Sequence, residues 1–187
     1  MVLLHTPPGE LGSTAPGFSL PGVDDRTHAF DDYRDASILV VMFICNHCPY
    51  VQSVEGRLIA LATEMKSQGV RFVAINSNDP TNYPDDSFAN MKSRAAEKGY
   101  PFDYLCDETQ DVARAYGAVC TPDFFVYDQE RKLRYRGRLD DSPRNPAAVK
   151  SQEMKAAITT LLEGGTLEGH QHSAMGCSIK WRGEPPG

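Results

Sequence analysis

The stretch ASILVVMFICNHCPYVQSVEGRLIALATEMKSQG, residues 36–69, decides the fold of this 187-residue chain. Its first nine residues, 36–44, form a nearly unbroken apolar run rich in β-branched side chains, which predicts a central strand buried on both faces. From Pro49 to about Gln68, apolar residues recur at spacings of three and four, which predicts a helix that stops at Gly69. A CxxC motif therefore lies where a buried strand passes directly into a helix.

The sequence on either side of this stretch predicts further strands and helices. We expect strands at 70–76, 102–106, 124–128 and 132–138, helices at 86–98, 110–116 and 146–163, and a short N-terminal hairpin at 18–20 and 27–30. This order indicates an α/β fold in which a central mixed β-sheet is flanked by helices. We divide the chain into an N-terminal arm at 1–11, one domain at 12–163 and a C-terminal tail at 164–187, and expect no regular structure in the arm or the tail.

Composition excludes several classes of function. A net charge of −6 and a pI near 5.3 work against attraction to phosphate backbones, so we expect no nucleic-acid partner. No apolar run approaches about 18 residues and the start of the chain lacks a leader pattern, so we expect no membrane association and a cytoplasmic location. Five cysteines, an odd number, fit thiols in a reducing compartment better than a framework of structural disulfides.

Cys45 and Cys48 are the candidate catalytic residues. Two intervening residues let their sulfurs approach bonding distance, and the unpaired N–H groups at the start of a helix stabilise a nearby thiolate. Cys45 can then attack and Cys48 can resolve, while a positive charge on His47 would favour the thiolate on Cys45. The alternatives are inert buried thiols or half of a zinc site. Because the other three cysteines stand singly, we expect no metal and no cofactor.

Three motifs carry a resemblance to a known family. They are APGFSL at 15–20, CNHCPYV at 45–51 and VCTPDFFVYD at 119–128. On these motifs the chain resembles the thioredoxin superfamily, specifically its peroxiredoxin-like AhpC/TSA or redoxin branch, over about residues 12–162. The resemblance implies a thioredoxin-like fold, a cis-proline at Pro122 beside the cysteine pair, and Thr121 and Pro122 as substrate-binding residues.

The chain departs from the family pattern at two places. The strand before the pair lacks the acidic residue with which thioredoxins commonly accept the proton of the second cysteine, so Glu55, His47 or water would have to take that proton. Peroxiredoxins place a threonine three residues before their peroxidatic cysteine, and here Cys45 stands in that place. In that alignment Cys48 is the residue that attacks peroxide.

Three further residues are assigned roles from their positions and from the resemblance. Cys177 lies in the tail, as a peroxiredoxin resolving cysteine often does, or it is an ordinary tail thiol. Cys120 should lie close to the active-site turn, where the alternative role is that of a small buried hydrophobe. Arg138 either orients an anionic or peroxide substrate or forms half of a surface ion pair.

Three functions are compatible with this pattern. The leading one is a thiol–disulfide oxidoreductase in which Cys45 attacks a protein or small-molecule disulfide, Cys48 resolves the product, and an unidentified thiol is the reductant. The second is a thiol peroxidase in which Cys48 becomes a sulfenic acid that Cys45 or Cys177 captures. The third is a copper-binding thioredoxin-fold module with Cu(I) on two thiolates and a histidine.

Overall fold

The apolar run of the sequence forms the central strand of a sheet in the computed structural model, which describes residues 3–183. The strands are β1 (Leu3–His5), β2 (Ser19–Pro21), β3 (Thr27–Ala29), β4 (Ile38–Phe43), β5 (Val70–Asn76), β6 (Asp103–Cys106), β7 (Cys120–Thr121), β8 (Asp123–Tyr127), β9 (Leu133–Gly137) and β10 (Met175–Ser178). The helices are α1 (Pro49–Met65), α2 (Phe88–Lys98), α3 (Asp111–Tyr116) and α4 (Glu153–Leu162), and 3-10 turns occur at Phe30–Tyr33, Lys66–Gln68, Pro84–Asp86 and Pro146–Ala148.

The main sheet has five strands in the order β6-β5-β4-β8-β9. Strands β4, β5 and β6 run parallel, whereas β8 is antiparallel to β4 and β9 is antiparallel to β8. The predicted mixed sheet is therefore confirmed, as are the two predicted hairpins, β2–β3 and β8–β9.

Both faces of β4 are buried because successive side chains point to opposite sides of the sheet. Val40 and Met42 belong to a core that also contains apolar residues of α1, α2 and α4. Leu39, Val41 and Phe43 belong to a second core with residues of α3 and β2. Helices thus cover both faces of the sheet, as expected from the order of the elements.

Two predicted helices are shorter in the structure. The helix expected at 146–163 begins only at Glu153, because Pro146–Ala148 forms a 3-10 turn capped by the Asn145 side chain and is followed by extended backbone. The helix expected at 86–98 begins at Phe88, because the residues before it form the 3-10 turn Pro84–Asp86. Within residues 3–183, none of the helices combines the length and the apolar character needed to cross a bilayer.

The N-terminal arm and the C-terminal tail form a small second sheet with β7. Strand β1 of the arm pairs antiparallel with β10 of the tail, and β10 pairs antiparallel with β7. The expectation that arm and tail lack regular structure is therefore wrong for these two segments. Residues 1–2 of the arm and 184–187 of the tail lie outside the described residues. The division into arm, domain and tail itself stays a prediction.

Gly176 allows β10 to approach β7 closely. A Cβ atom there would lie 1.9 Å from the carbonyl oxygen of Thr121, and this backbone atom cannot easily move aside.

Gly176→Ala should therefore lower the free energy of unfolding by about 1–3 kcal/mol, measured by urea unfolding. Gly56→Ala is the control, since nothing lies within 4 Å of its Cβ position in α1, and it should stabilise by about 0.5–1 kcal/mol. Equal stability of the two variants would contradict this packing.

Candidate active site

The CxxC motif connects the end of β4 to the start of α1, as the sequence predicts. Cys48 is the N-cap residue of α1, and Pro49 occupies the first turn, where its missing N–H leaves no helical bond unmade. The first N–H groups of a helix have no partner within the helix. One of them, the backbone N–H of Val51, lies near enough to Cys48 to lower the pKa of its thiol.

The segment around Thr121 faces the cysteine pair. The Thr121–Pro122 peptide bond is cis, as the resemblance implies. The sulfur of Cys45 lies 3.2 Å from Thr121 Oγ1, and the Cys48 thiol donates a hydrogen bond to the Thr121 carbonyl oxygen at 3.1 Å. The structure therefore brings the two most specific motifs of the sequence into direct contact.

A third cysteine from the tail completes the cluster of sulfurs. Cys177 lies opposite Thr121 in the β10–β7 pairing, and its sulfur is 3.0 Å from that of Cys48. Cys45, Cys48 and Cys177 are 1%, 0% and 1% exposed. Cys120 is buried nearby in β7, where burial raises the pKa of its thiol. Of the three single cysteines, Cys177 is thus the one that contacts the pair.

The surroundings of the three thiols favour negative charge on Cys48. Hydrogen bonds from Cys45, from Cys177 and from the N–H of Val51 lower the pKa of Cys48, against the opposing effect of burial. Burial, the hydrogen bond with Cys48 and the carboxylate of Asp86 raise the pKa of Cys45 well above its usual value. Burial and the contact with Cys48 also raise the pKa of Cys177. Burial is the main reason that the pKa of Cys45 is raised, and the expectation of a thiolate on Cys45 stays a prediction.

Asp86, which was not predicted from the sequence, holds His47 in place. Its buried carboxylate accepts hydrogen bonds from the backbone N–H groups of Asn46 and His47, at 2.7 and 3.2 Å, and from the Asn78 side chain at 2.7 Å. The same carboxylate lies 2.5 Å from His47 Nδ1, and His47 stacks on the ring of Tyr83. The sequence contained one signal for this contact. Asp86 lies in the polar loop that follows β5, and the CxxC motif follows β4. Because the carboxyl ends of these parallel neighbours lie at the same edge of the sheet, the loop and the motif are expected to be close together.

Replacing Asp86 by asparagine should change how Cys45 titrates. The variant removes the negative charge near Cys45, so the pKa of Cys45 should fall toward its usual value and this thiol should react at lower pH than in the wild type. The measurement is alkylation of Cys45 as a function of pH, read by mass spectrometry. Asp85→Asn is the control, because Asp85 is exposed and should leave the profile unchanged. An unshifted profile in Asp86→Asn would show that the carboxylate does not act on Cys45.

Three groups of the site could ligate a metal ion. The sulfur of Cys45, a ring nitrogen of His47 and a carboxylate oxygen of Asp86 all lie within 4.8 Å of one another. The 2.5 Å contact between His47 Nδ1 and Asp86 is a hydrogen bond that an ion at these atoms would have to replace. His47 Nε2 is buried and has no hydrogen-bond partner among residues 3–183. The copper site considered from the sequence would need two thiolates and a histidine, and this group contains the sulfur of Cys45 alone, so that alternative stays a prediction.

Two residues predicted for the site are engaged in ion pairs. Both carboxylate oxygens of Glu55 are held by Arg94, at 2.8 and 3.0 Å, and one also accepts from the Tyr100 hydroxyl. Arg138 donates two hydrogen bonds to Glu153, at 2.5 and 2.8 Å. Both carboxylate oxygens of Glu55 thus already accept hydrogen bonds, and the ion-pair alternative describes Arg138.

A mixed sheet with a CxxC motif at a helix N-terminus, facing a cis-proline, defines an oxidoreductase of the thioredoxin superfamily that acts through thiols. The chain belongs to the AhpC/TSA family, whose model matches residues 11–136. The thioredoxin-like fold is confirmed by the thioredoxin domain of a thiol-disulfide oxidoreductase from Bacteroides vulgatus. That structure matches with a TM-score of 0.61 at 15% identity, over 82% of this chain and 97% of the other.

Two further proteins are more similar in sequence. The thiol-disulfide oxidoreductase ResA of Geobacillus thermodenitrificans (strain NG80-2) is 27% identical over 126 residues, which are 66% of this chain and 67% of ResA. The crystal structure of an uncharacterized conserved protein from Geobacillus kaustophilus is 47% identical with a TM-score of 0.94, and the match covers 99% of each chain. Because this second match spans almost the whole chain, it includes the tail strand β10.

Proposed function

We propose that this protein is a thiol–disulfide oxidoreductase that uses the Cys45/Cys48 couple, with Cys48 as the attacking thiolate. The observation that carries the proposal is the position of Cys48 at the N-cap of α1, with the sulfur of Cys177 3.0 Å from its own. Such surroundings stabilise a thiolate, which is the reactive form of cysteine. The 27% identity to ResA, a thiol-disulfide oxidoreductase, supports the same class of reaction.

The reaction proceeds in two exchange steps. The Cys48 thiolate attacks one sulfur of a substrate disulfide, a mixed disulfide forms, and the other substrate sulfur leaves as a thiolate. Cys45 then attacks the sulfur of Cys48, the mixed disulfide breaks, and the second substrate sulfur leaves. The substrate gains two electrons and the protein retains a Cys45–Cys48 disulfide. A thiol reductant in the cytoplasm, which stays the proposed location, returns the pair to dithiol.

Cys45 must lose its proton as it attacks. The sulfur of Cys45 lies 3.9 Å from His47 Nδ1, but this nitrogen donates its own hydrogen to the carboxylate of Asp86 and has no lone pair left to accept another. Of the proton acceptors expected from the sequence, water is therefore the one that the proposal retains, and the proton ends on the substrate thiolate that leaves. His47, held by Asp86, positions the turn beside Cys45.

The experiment asks which cysteine forms the mixed disulfide. Two variants, Cys45→Ser and Cys48→Ser, are made in a Cys177→Ser background so that the third thiol cannot intervene, and each is incubated with a small aromatic disulfide. We expect Cys45→Ser to remain linked to the reagent through Cys48, and Cys48→Ser to react far more slowly. A rapid mixed disulfide on Cys45 would reverse the order of attack. No disulfide reduction by the wild type would contradict the proposed function.

The contact between Cys48 and Cys177 also supports a second candidate, a thiol peroxidase. Peroxide would oxidise the Cys48 thiolate to a sulfenic acid, and Cys177 or Cys45 would attack that sulfur and release water. The test compares the rate of thiol loss to hydrogen peroxide in the wild type and in Cys48→Ser. Fast oxidation that disappears in the variant would favour the peroxidase, whereas a rate typical of ordinary thiols would leave disulfide exchange as the function.

A further inference from the structure

The tail strand β10 covers the backbone edge of the strand that faces the cysteine pair. Cys177 is paired with Thr121 and Ser178 with Cys120, and β1 covers the outer side of β10. An uncovered strand edge offers hydrogen bonds to any extended chain that fits beside it. Here the extended chain is the protein's own tail, so a segment of this molecule occupies the place beside the thiols that an incoming peptide would need.

The fit of β10 to this place is specific. A side chain at Gly176 would collide with the carbonyl oxygen of Thr121 at 1.9 Å and approach the nitrogen of Pro122 at 3.0 Å. The absence of a side chain at Gly176 lets the next residue, Cys177, reach Cys48 with a sulfur–sulfur distance of 3.0 Å. A disulfide bond is about 2.05 Å long, so a movement of roughly 1 Å would join the two sulfurs.

Cys48 therefore has sulfur neighbours from two different parts of the chain. Cys45 precedes it in the same turn, and Cys177 reaches it from β10. Thr121 contacts both members of the CxxC pair, because its Oγ1 lies 3.2 Å from the sulfur of Cys45 and its carbonyl oxygen lies 3.1 Å from the sulfur of Cys48. Cys120 lies one residue away on the same strand and its sulfur is 4.0 Å from the carbonyl oxygen of Pro122, so it provides a buried cysteine for comparison.

We propose that Cys177 is a third redox thiol, and that the disulfide of this site moves between Cys45–Cys48 and Cys48–Cys177. The proposal rests on the use of Cys48 in the proposed function. The thiol of Cys177 loses its proton and attacks the sulfur of Cys48, the Cys45–Cys48 bond breaks, and Cys45 leaves as a thiolate that takes up a proton. The number of disulfides is unchanged, so the step needs neither an oxidant nor a reductant.

The position of the disulfide then decides whether β10 can leave the site. With the Cys48–Cys177 bond formed, β10 is covalently fixed to the start of α1 and continues to cover β7. With the Cys45–Cys48 bond formed, β10 is held by strand pairing alone and can separate to admit a substrate chain. The internal exchange would thus couple the redox state of the pair to access to the site.

The test maps disulfides in cysteine variants of the full chain. The wild type, Cys45→Ser, Cys48→Ser, Cys177→Ser and Cys120→Ser are reduced, oxidised with diamide, quenched in acid and digested without reduction for mass spectrometry. We expect Cys45→Ser to lose two of its remaining thiols and to form Cys48–Cys177. Cys177→Ser should form Cys45–Cys48, Cys48→Ser should form neither bond, and Cys120→Ser should behave like the wild type.

Each outcome separates the two proposals. If Cys45→Ser, or Cys45→Ala should the serine variant fold poorly by circular dichroism, yields no Cys48–Cys177 bond, the internal exchange is overturned. A Cys45–Cys48 bond in Cys177→Ser would still support the proposed function. Conversely, if Cys177→Ser forms no disulfide while Cys45→Ser forms Cys48–Cys177, the Cys45/Cys48 couple is overturned and the third thiol stands.

Discussion

Replacing Cys48 by serine should lower the rate of disulfide exchange by at least about a thousandfold, the scale on which loss of a nucleophile acts. Cys48 is the sulfur shared by both neighbouring pairs, so its loss removes the attacking thiolate and both disulfides that the site could form. Rapid mixing with a small aromatic disulfide, followed by absorbance, measures the rate. The variant should remain folded, since serine is close to cysteine in size.

The wild type supplies a pH test of the same prediction. Hydrogen bonds from Cys45 and Cys177 lower the pKa of Cys48 to about 5, so the thiolate is present above that pH and is lost as the pH falls through it. The exchange rate should therefore be nearly constant around neutrality and decline below about pH 5. Cys120→Ser should keep the wild-type rate and profile. A rate that rises through the range of an ordinary thiol, near pH 8.5, would contradict a thiolate on Cys48.

Replacing Arg136 by methionine should lower the free energy of unfolding by about 3–5 kcal/mol. The guanidinium of Arg136 donates two hydrogen bonds to Asp123, at 2.8 and 3.3 Å, and both side chains are buried, at 6% and 0% exposure. It also donates to the carbonyl oxygen of Gly117 and lies over the ring of Phe125. The variant leaves a buried carboxylate beside the cis-proline without its partner, and urea unfolding measures the cost.

The loss in Arg136→Met should also depend on pH. Burial raises the pKa of Asp123 to about 6, and Arg136 opposes that rise, so removing Arg136 should raise the pKa further. A raised pKa means that the protonated form is preferred in the folded state, and stability is lost as the pH rises through that pKa. The penalty should therefore be larger at pH 8 than at pH 5. Arg134→Met on the same strand, which breaks a half-exposed pair with Asp128, should cost no more than about 1 kcal/mol.

The fold could be predicted from the sequence where periodicity is strong. The apolar run before Cys45 and the helical spacing after Cys48 determine both elements and therefore the position of the cysteine pair. The cis-proline came from the resemblance rather than from physics, because X–Pro bonds in folded proteins are mostly trans. The contact between the cis-proline segment and the cysteine pair depends on the order of the strands in the sheet, and hydrophobic periodicity does not specify that order.

The parts of the site that sequence reasoning missed come from segments without a clear period. Asp86 lies in a polar loop, and its role depends on backbone N–H groups that the loop presents to it. Strand β10 has four residues and contains Gly176, which normally weakens a strand. A glycine within a strand can also indicate that two backbones approach closely, as Gly176 and Thr121 do here.

Because all three sulfurs are buried, the rate at which a reagent labels them depends on how often the site opens locally. A reagent in solution reaches these buried sulfurs only when the site opens locally, so the labelling rate is the product of an opening equilibrium and the intrinsic reactivity of the thiol. Each tenfold slowing relative to an exposed thiol corresponds to about 1.4 kcal/mol of opening free energy. Labelling rates, once divided by the intrinsic reactivity of each thiol, would therefore give the free energy of the local opening that exposes the site.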